Sequence, residues 1–205
     1  MPPLPPVTKF LMLLCTAVFC VQALGVPLTQ WLALWPVASG QFMPWQLVTY
    51  AFLHGDFLHL FFNMFALWSF GSELERLWGD KRYLQFLAAS ILAAAAAQEA
   101  ITFFTGSIFP TLGISGAVFG LLLAFGMLFP NRQIMLLIPP IPMKAKFYVA
   151  IFGAIELYAG VRGSDGIAHF AHLGGMLGGW LMILYWRGGP PFRGGGKGSG
   201  PRRLH

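Results

Sequence analysis

The sequence predicts an all-α membrane protein with six transmembrane helices and both termini in the cytoplasm. Composition gives the first reason: the 205 residues are 57% hydrophobic and only 10% charged, whereas soluble domains are typically about 25% charged. Six apolar stretches and a one-sided distribution of basic residues give the other two. A chain with so few charges cannot cover a domain with a water-exposed surface, so we expect it to lie in the lipid bilayer.

Six apolar stretches approach the roughly 20 residues that a helix needs to cross the hydrocarbon core. After the last stretch, Gly, Pro and basic residues dominate, which is typical of a disordered segment. The predicted organisation is a six-helix membrane domain over residues 1–186 and a cytoplasmic tail over residues 187–205. The stretches are approximately Phe10–Leu24, Phe52–Gly71, Tyr83–Phe104, Ser115–Phe129, Phe147–Val161 and Ile167–Trp186.

The basic residues give the predicted orientation. With six helices of alternating direction, 12 of the 13 Lys and Arg residues lie on one side of the membrane, and only Arg162 lies on the other. Because cytoplasmic segments carry the excess of Lys and Arg, both termini are expected in the cytoplasm. The basic tail sets this topology or contacts anionic lipid. No nucleic-acid partner is expected, since the basic residues do not cluster on a soluble face.

Four polar residues on three predicted helices converge at one depth of the outer leaflet. His59 and Asn63 lie on the second helix, Ser115 begins the fourth, and His172 lies on the sixth. Counting 1.5 Å per residue from the helix ends places Ser115 and His172 each about 8 Å below the outer boundary. The preceding residues 106–114 must then enter the protein, shielded from lipid. Polar side chains at such a depth usually mark function.

These residue types are the parts that acyl transfer requires. A serine at a helix start, paired with a neutral imidazole, is an activated nucleophile, so we assign Ser115 as nucleophile and His172 as base. His59 and Asn63 are four residues apart on one helix face, so both can donate to a developing oxyanion. Each residue alone has a plainer explanation in helix packing or a satisfied core hydrogen bond. Their convergence favours catalysis.

The residue that orients His172 stays open. Glu156 on the fifth helix and Asp165 just before the sixth are the candidate carboxylates, but neither clearly completes a triad. The preferred interpretation is therefore a Ser–His dyad. His54 is expected on a different face from His59, nearer the surface and outside the site.

Three motifs, in this order on the second, fourth and sixth helices, resemble those of the rhomboid family of intramembrane serine proteases. They are His54–Asn63 (HGDFLHLFFN), Gly113–Gly116 (GISG) and Ala171–Gly179 (AHLGGMLGG). The resemblance extends over nearly the whole apolar region and implies the family's rhomboid fold.

The resemblance also implies roles. Ser115 would attack the scissile carbonyl, His172 would act as general base and acid, and His59 and Asn63 would stabilise the oxyanion, with Gly113 shaping the loop beside the nucleophile. Substrates would be single-span membrane proteins, cut near the outer end of a helix with small, helix-destabilising residues. The fifth helix and the loop over the site would gate lateral access. No metal or cofactor is expected. The short six-helix form implies a bacterial inner membrane, and the sequence leaves the oligomeric state open.

Two positions depart from the family pattern. Gln46 follows Trp45 where many members have Arg, so an ion pair that fixes the first loop is expected to be absent. Phe119 stands where many members have Tyr one turn after the serine, which keeps a ring stacked on the histidine but removes a hydroxyl. Glu75 resembles the glutamate at the end of the family's second helix.

Two other function classes compete. The first is a zinc-dependent membrane hydrolase or transporter with a three-histidine site, although no His-Glu-x-x-His motif is present and Ser115 would be unexplained. The second is a non-catalytic scaffold on the same fold, against which the presence of both Ser115 and His172 argues. The histidines available for a zinc site are His54, His59, His169 and His172.

Overall fold

The computed structural model describes residues 3–135, 140–163 and 168–188. Within these ranges the chain is mostly helical, as predicted, and helices occupy all six apolar stretches. The elements are α1 (Pro6–Ala23), α2 (Leu28–Leu32), α3 (Gln46–Thr49), α4 (Phe57–Ala66), α5 (Ser72–Trp78), α6 (Asp80–Thr105), α7 (Ser115–Leu128), β1 (Gln133–Met135), β2 (Pro142–Lys144), α8 (Ala145–Arg162) and α9 (His169–Trp186). Short 3₁₀ turns cover Val37–Ser39 and Tyr50–Phe52.

The second apolar stretch differs in its bounds from the prediction. Its helix begins at Phe57 rather than Phe52, because the Asp56 side chain accepts a hydrogen bond from the His59 backbone N–H at 2.8 Å and caps α4. The helix then continues through the π-helical segment Leu67–Gly71 into α5. The first predicted residues of this helix, including His54, therefore lie in the loop before it.

Helix α9 packs most extensively against α6 and α7. On the α6 side, a Cβ atom at Gly174 would lie 2.7 Å from the carbonyl oxygen of Ala93, and one at Gly178 would lie 2.5 Å from that of Ala89. The two helix backbones thus approach more closely than any side chain on α9 would allow. Small residues four apart permit this contact, which is typical of helix pairs in membranes.

The outer surface is apolar, whereas several buried side chains are polar. Leu24 is 83% exposed and Phe104 is 81% exposed, while Glu75 and Gln46 are almost fully buried. Soluble proteins rarely expose extended apolar surface, but a lipid-facing surface requires it. This distribution fits the membrane class that the composition predicts.

The buried Glu75 holds the start of α1. Its carboxylate accepts hydrogen bonds from the backbone N–H of Val7 at 2.8 Å and of Thr8 at 2.7 Å, and from the Thr8 hydroxyl at 2.6 Å. The first N–H groups of a helix have no intrahelical acceptor and carry positive partial charge. A carboxylate from α5 therefore satisfies them and joins α1 to the rest of the bundle.

The first loop is held by the Gln46 side chain. Its amide oxygen accepts hydrogen bonds from the backbone N–H of Met43 at 3.1 Å and of Trp35 at 3.3 Å, and its amide nitrogen donates to the Gln41 carbonyl oxygen at 3.2 Å. A neutral amide can both donate and accept. Gln46 thus fixes the loop through backbone hydrogen bonds.

The connection between α7 and α8 contains an antiparallel hairpin that the sequence did not predict. Ile134 pairs with Met143, with flanking pairs that join β1 to β2. Its strands have three residues each, too short for a clear alternation of apolar and polar positions.

Among the described residues, length and hydropathy alone identify two helices that could cross a membrane, α1 and α6, whereas α7 is apolar but shorter. Helix α9 has 18 residues, but its glycines and histidines lower its hydropathy. The six-span count and the cytoplasmic location of both termini stay predictions. Of the predicted tail, residues 189–205 lie outside the described residues.

Candidate active site

Ser115 is the first residue of α7, and the loop before it is held in place by backbone hydrogen bonds. Thr111 and Leu34 exchange two N–H···O bonds of 2.9 Å each, and the Gly113 N–H donates to the Tyr50 carbonyl oxygen at 2.9 Å. Gly113 has φ +114°, a conformation that glycine adopts readily and other residues rarely do. This loop brings Ser115 to the site as a half-buried residue.

His172, on α9, contacts the Ser115 side chain directly. Its Nε2 atom lies 2.8 Å from the Ser115 Oγ atom. The Phe119 ring, one turn after Ser115, stacks on the imidazole with a centroid distance of 4.4 Å and an interplanar angle of 11°. The stack keeps the plane of the imidazole fixed, as expected for an aromatic residue at this position.

Two glycines allow α7 and α9 to carry these residues so close together. A Cβ atom at Gly175 would overlap the carbonyl oxygen of Gly116, and one at Gly120 would lie 2.9 Å from the carbonyl oxygen of Gly175. Backbone atoms cannot yield as a flexible side chain can. The short Ser115–His172 distance therefore depends on the absence of side chains at this helix contact.

His59 lies beside the nucleophile with its ring against Gly113. A Cβ atom at Gly113 would lie 2.6 Å from His59 Cε1 and 3.7 Å from Ser115 Oγ. Any side chain at position 113 would thus displace the His59 ring or the loop.

Contrary to the sequence prediction, His54 does not lie on a separate helix face from His59, because it belongs to the loop before α4. It is 1% exposed, and its ring lies edge-on to that of His59 at a centroid distance of 5.1 Å. The backbone N–H of His54 donates to Gln22 Oε1 at 3.1 Å, which anchors the loop before α4. His54 therefore supports His59 from behind, a role that the spacing of five residues did not reveal.

Asn63 is buried one turn below His59 on α4. It is 4% exposed, and its Nδ2 atom has no hydrogen-bond partner within the described ranges of the chain. A buried unpaired donor is costly and calls for an explanation. It lines the same pocket as Ser115, His59 and His172, so a group bound in that pocket could accept its hydrogen bond.

The pocket that contains these four residues is long. Its volume is ≈ 1830 Å³, above the roughly 300–1,000 Å³ of small-molecule sites. It extends from Ser115 at one end of α7 to Arg132 beyond the other end, with Phe62 of α4 on one wall and Phe152 of α8 on another. The shape suits an extended or helical peptide segment.

A carboxylate completes the cluster around His172. Glu156 Oε2, on α8, lies 2.8 Å from His172 Nδ1 and 2.7 Å from His169 Nδ1. Sequence reasoning named Glu156 only as one of two candidates and gave His169 no part in a Ser–His site. The other candidate, Asp165, lies outside the described residues. Two features of the sequence could have pointed to these residues. Glu156 is the one acidic residue of α8, and His169 precedes His172 by nearly one helical turn.

The four histidines considered for a zinc site are not assembled as one ligand set. In the part of the chain that the structure describes, the one group of three or more potential ligands whose donor atoms all lie within 4.8 Å of one another is Glu156, His169 and His172. His54 and His59 form a separate pair. Hydrogen bonds between the Glu156 carboxylate and the two imidazoles already account for this cluster, whose donor atoms could also ligate a metal.

Comparison with known proteins identifies the family. The sequence matches the rhomboid domain over residues 41–188. It is 31% identical over 185 residues to the rhomboid protease GlpG of Yersinia pestis, which covers 88% of this chain and 62% of that protein. It is also 35% identical over 146 residues to the mitochondrial Rhomboid protein 1 of Saccharomyces cerevisiae, which covers 66% of this chain and 40% of that protein.

The chain thus spans about 40–62% of the length of these relatives. The matched region contains the three motifs noted in the sequence, together with α4, α7 and α9, which carry the four residues of the site. The chain belongs to the rhomboid family.

Proposed function

We propose that this protein is an intramembrane serine endopeptidase in which Ser115 is the nucleophile and His172 is the general base. The 2.8 Å contact between Ser115 Oγ and His172 Nε2, inside a long pocket of a rhomboid-family chain, is the observation that carries the proposal. A hydroxyl within hydrogen-bond reach of an imidazole is the arrangement that activates a serine.

The reaction would proceed in two acyl-transfer steps. His172 Nε2 takes the Ser115 hydroxyl proton as Oγ attacks the scissile carbonyl carbon, which gives a tetrahedral intermediate. The imidazolium then gives this proton to the leaving amine as the peptide C–N bond breaks, which leaves an acyl ester on Ser115. Water, deprotonated by the same imidazole, hydrolyses the ester and restores the serine.

Three donors would stabilise the developing oxyanion. The Asn63 Nδ2 atom is buried without a partner among the described residues, and the His59 ring borders Gly113 and Ser115. The backbone N–H of Ser115, at the start of α7, has no intrahelical acceptor. Preorganised donors of this kind stabilise the tetrahedral intermediate more than the ground state.

The substrates we propose are single-span membrane proteins. The pocket runs along α7 between α4 and α8, so a transmembrane segment could reach the site sideways from the bilayer. Small, helix-destabilising residues would let that segment unwind and present an extended peptide bond to Ser115. Cleavage would occur near the outer leaflet, at the depth predicted for Ser115.

We further propose a six-span membrane domain with both termini in the cytoplasm of a bacterium. The Yersinia pestis relative supports a bacterial inner membrane, while the yeast relative is named as mitochondrial. Fusing a periplasmic or cytoplasmic reporter after Trp186 and after Arg162 tests the orientation. The proposal requires the Trp186 fusion to report cytoplasm and the Arg162 fusion to report periplasm.

A labelling experiment separates serine chemistry from metal chemistry. The purified protein in detergent should cleave a single-span model substrate in the presence of strong chelators and lose activity to a fluorophosphonate, with the label on Ser115. Ser39→Ala, a serine of the 3₁₀ turn in the first loop, is the matched control and should label normally. Loss of activity in chelator that zinc restores would favour a metal-dependent hydrolase instead.

A further inference from the structure

Glu156 connects two histidines through a single carboxylate oxygen. Its Oε2 atom lies 2.7 Å from Nδ1 of His169 and 2.8 Å from Nδ1 of His172. All three side chains are buried. Glu156 comes from α8 and both histidines come from α9, so this contact joins the two helices at the level of Ser115.

The contact determines which nitrogen of His172 carries hydrogen. An ionised carboxylate oxygen can only accept hydrogen bonds, so Nδ1 of each imidazole must be the donor. In neutral His172 the Nε2 atom then has a free lone pair, and this atom faces the Ser115 hydroxyl at 2.8 Å. The carboxylate therefore selects the tautomer that a general base requires.

We propose that Glu156 is a positioning residue for His172, and that His169 holds the Glu156 carboxylate in place. This inference rests on the proposed function and extends the Ser–His pair by two residues. Phe119 stacks on one face of the His172 ring, and Glu156 fixes the rotation of that ring through Nδ1. His169 donates to the same oxygen, which restrains the position of the carboxylate.

Charge supports the same role during the reaction. When His172 takes the proton from Ser115, it becomes a buried imidazolium, and the adjacent Glu156 carboxylate stabilises that charge. The Nδ1 proton stays on His172 throughout, so Glu156 remains ionised and no proton passes to it. The carboxylate thus lowers the energy of the charged state that His172 reaches in each acyl-transfer step.

The test uses the full chain in detergent and the variant Glu156→Gln. A glutamine keeps the size of the side chain but offers an N–H₂ group that favours the wrong tautomer of His172. The rate of Ser115 labelling by a fluorophosphonate, and kcat for a single-span model substrate, should fall by between about 10-fold and 10⁴-fold, the upper figure being that of the same change in a full triad. KM should stay unchanged.

Two further variants are expected to reduce the labelling rate by smaller amounts. Glu156→Asp keeps the charge but withdraws it by one methylene, so its labelling rate should lie between those of the wild type and Glu156→Gln. His169→Ala leaves the His172–Glu156 contact but frees the carboxylate, and it should slow labelling by about tenfold, a size typical of outer hydrogen-bond partners. If Glu156→Gln does not fold, these two variants carry the test.

Glu99→Gln is the matched control, because Glu99 is a glutamate of α6 that accepts a hydrogen bond from the Val37 N–H at 3.0 Å and is not among the described residues that line the pocket of Ser115. It should label like the wild type. Wild-type labelling and kcat in Glu156→Gln, or a raised KM with unchanged kcat, would overturn the inference and leave a packing role for Glu156. An unlabelled wild-type Ser115 would instead overturn the proposed function itself.

Discussion

Helices α8 and α9 have the same length but very different surroundings. Each has 18 residues, yet eight residues of α9 are buried and only three of α8. Helix α9 contacts α6 on one side and α7 on the other through glycine faces. Helix α8 exposes large apolar side chains such as Tyr158 and Val161 and is held at Ala145, Val149 and Glu156.

This difference corresponds to two requirements of the proposed intramembrane hydrolase. The proposed nucleophile and base must be held within about 0.5 Å of the reactive geometry, and the close backbone contact of α7 and α9 favours such positioning. A substrate segment must also reach them from the lipid. A helix with few buried contacts opens at a lower free energy than a core helix, so α8 is the wall of the pocket that we expect to yield.

The largest effect should come from adding one methyl group to α9. Gly175→Ala places a Cβ atom against the carbonyl oxygen of Gly116, and since backbone cannot yield locally, the two helices must separate. We expect a loss of about 3 kcal/mol or more in the free energy of unfolding and no detectable cleavage. Thermal unfolding in detergent and a cleavage assay measure both.

Gly153→Ala on α8 is the matched control. Its Cβ atom would lie 3.5 Å from the flexible Met176 side chain, an ordinary contact, and alanine is the better helix former by up to about 1 kcal/mol. Tm should be equal to or above that of the wild type. Equal Tm for the two alanine variants would show that the two helices do not differ in packing as we describe.

An intermediate effect is expected at the two side chains proposed as oxyanion donors. Asn63→Ala and His59→Ala should each lower kcat by about 10²–10³, or roughly 3–4 kcal/mol of transition-state stabilisation, with little change in KM. Asn131→Ala, in the exposed turn after α7, is the matched control for Asn63 and should keep wild-type kcat. A kcat for Asn63→Ala equal to that of Asn131→Ala would remove Asn63 from the site.

His54 should affect catalysis only indirectly, through His59. Because its buried ring supports that of His59, His54→Ala should lower both Tm and kcat, whereas His59→Ala should act mainly on kcat. Comparing the two variants at equal folded fraction distinguishes support of a donor from the donor itself.

The smallest effect should occur on the lipid-facing side of α8. Leu157→Ala removes a side chain that is 53% exposed, so Tm should change by an amount equivalent to about 0.5 kcal/mol or less. Val149→Ala, on the buried side against Gly126, should cost about 1–2 kcal/mol by leaving a small cavity. If Leu157→Ala lowered stability as much as the roughly 1–2 kcal/mol expected for Val149→Ala, α8 would be buried on both sides.

The sequence predicted those features that rest on local patterns. Apolar length indicated the approximate positions of the helices, and polar residues at a common depth indicated which helices meet. Both can be read from residue type and from the rise per residue along single helices. The candidate residues of the site could be named because serine, histidine and asparagine are rare within apolar stretches.

Features that depend on tertiary packing were not predicted correctly. The helix containing His59 begins five residues late because Asp56 caps it, so His54 turns inward from a loop instead of lying on a helix surface. Glu156 contacts His172 because α8 and α9 pack together at this level. The residue pattern within α8 does not predict where the two helices meet. The hairpin of β1 and β2 is likewise too short to leave a pattern.

The central claim is that Ser115 and His172 act as one unit, and non-additivity of kcat tests it most directly. Ser115→Ala, His172→Ala and the double variant should be compared for cleavage of a single-span model substrate in detergent, with Tm measured for each. If the pair acts as a unit, each single variant abolishes cleavage and the double variant is no worse than either. Appreciable turnover by folded Ser115→Ala, or a further loss in the double variant, would contradict the account.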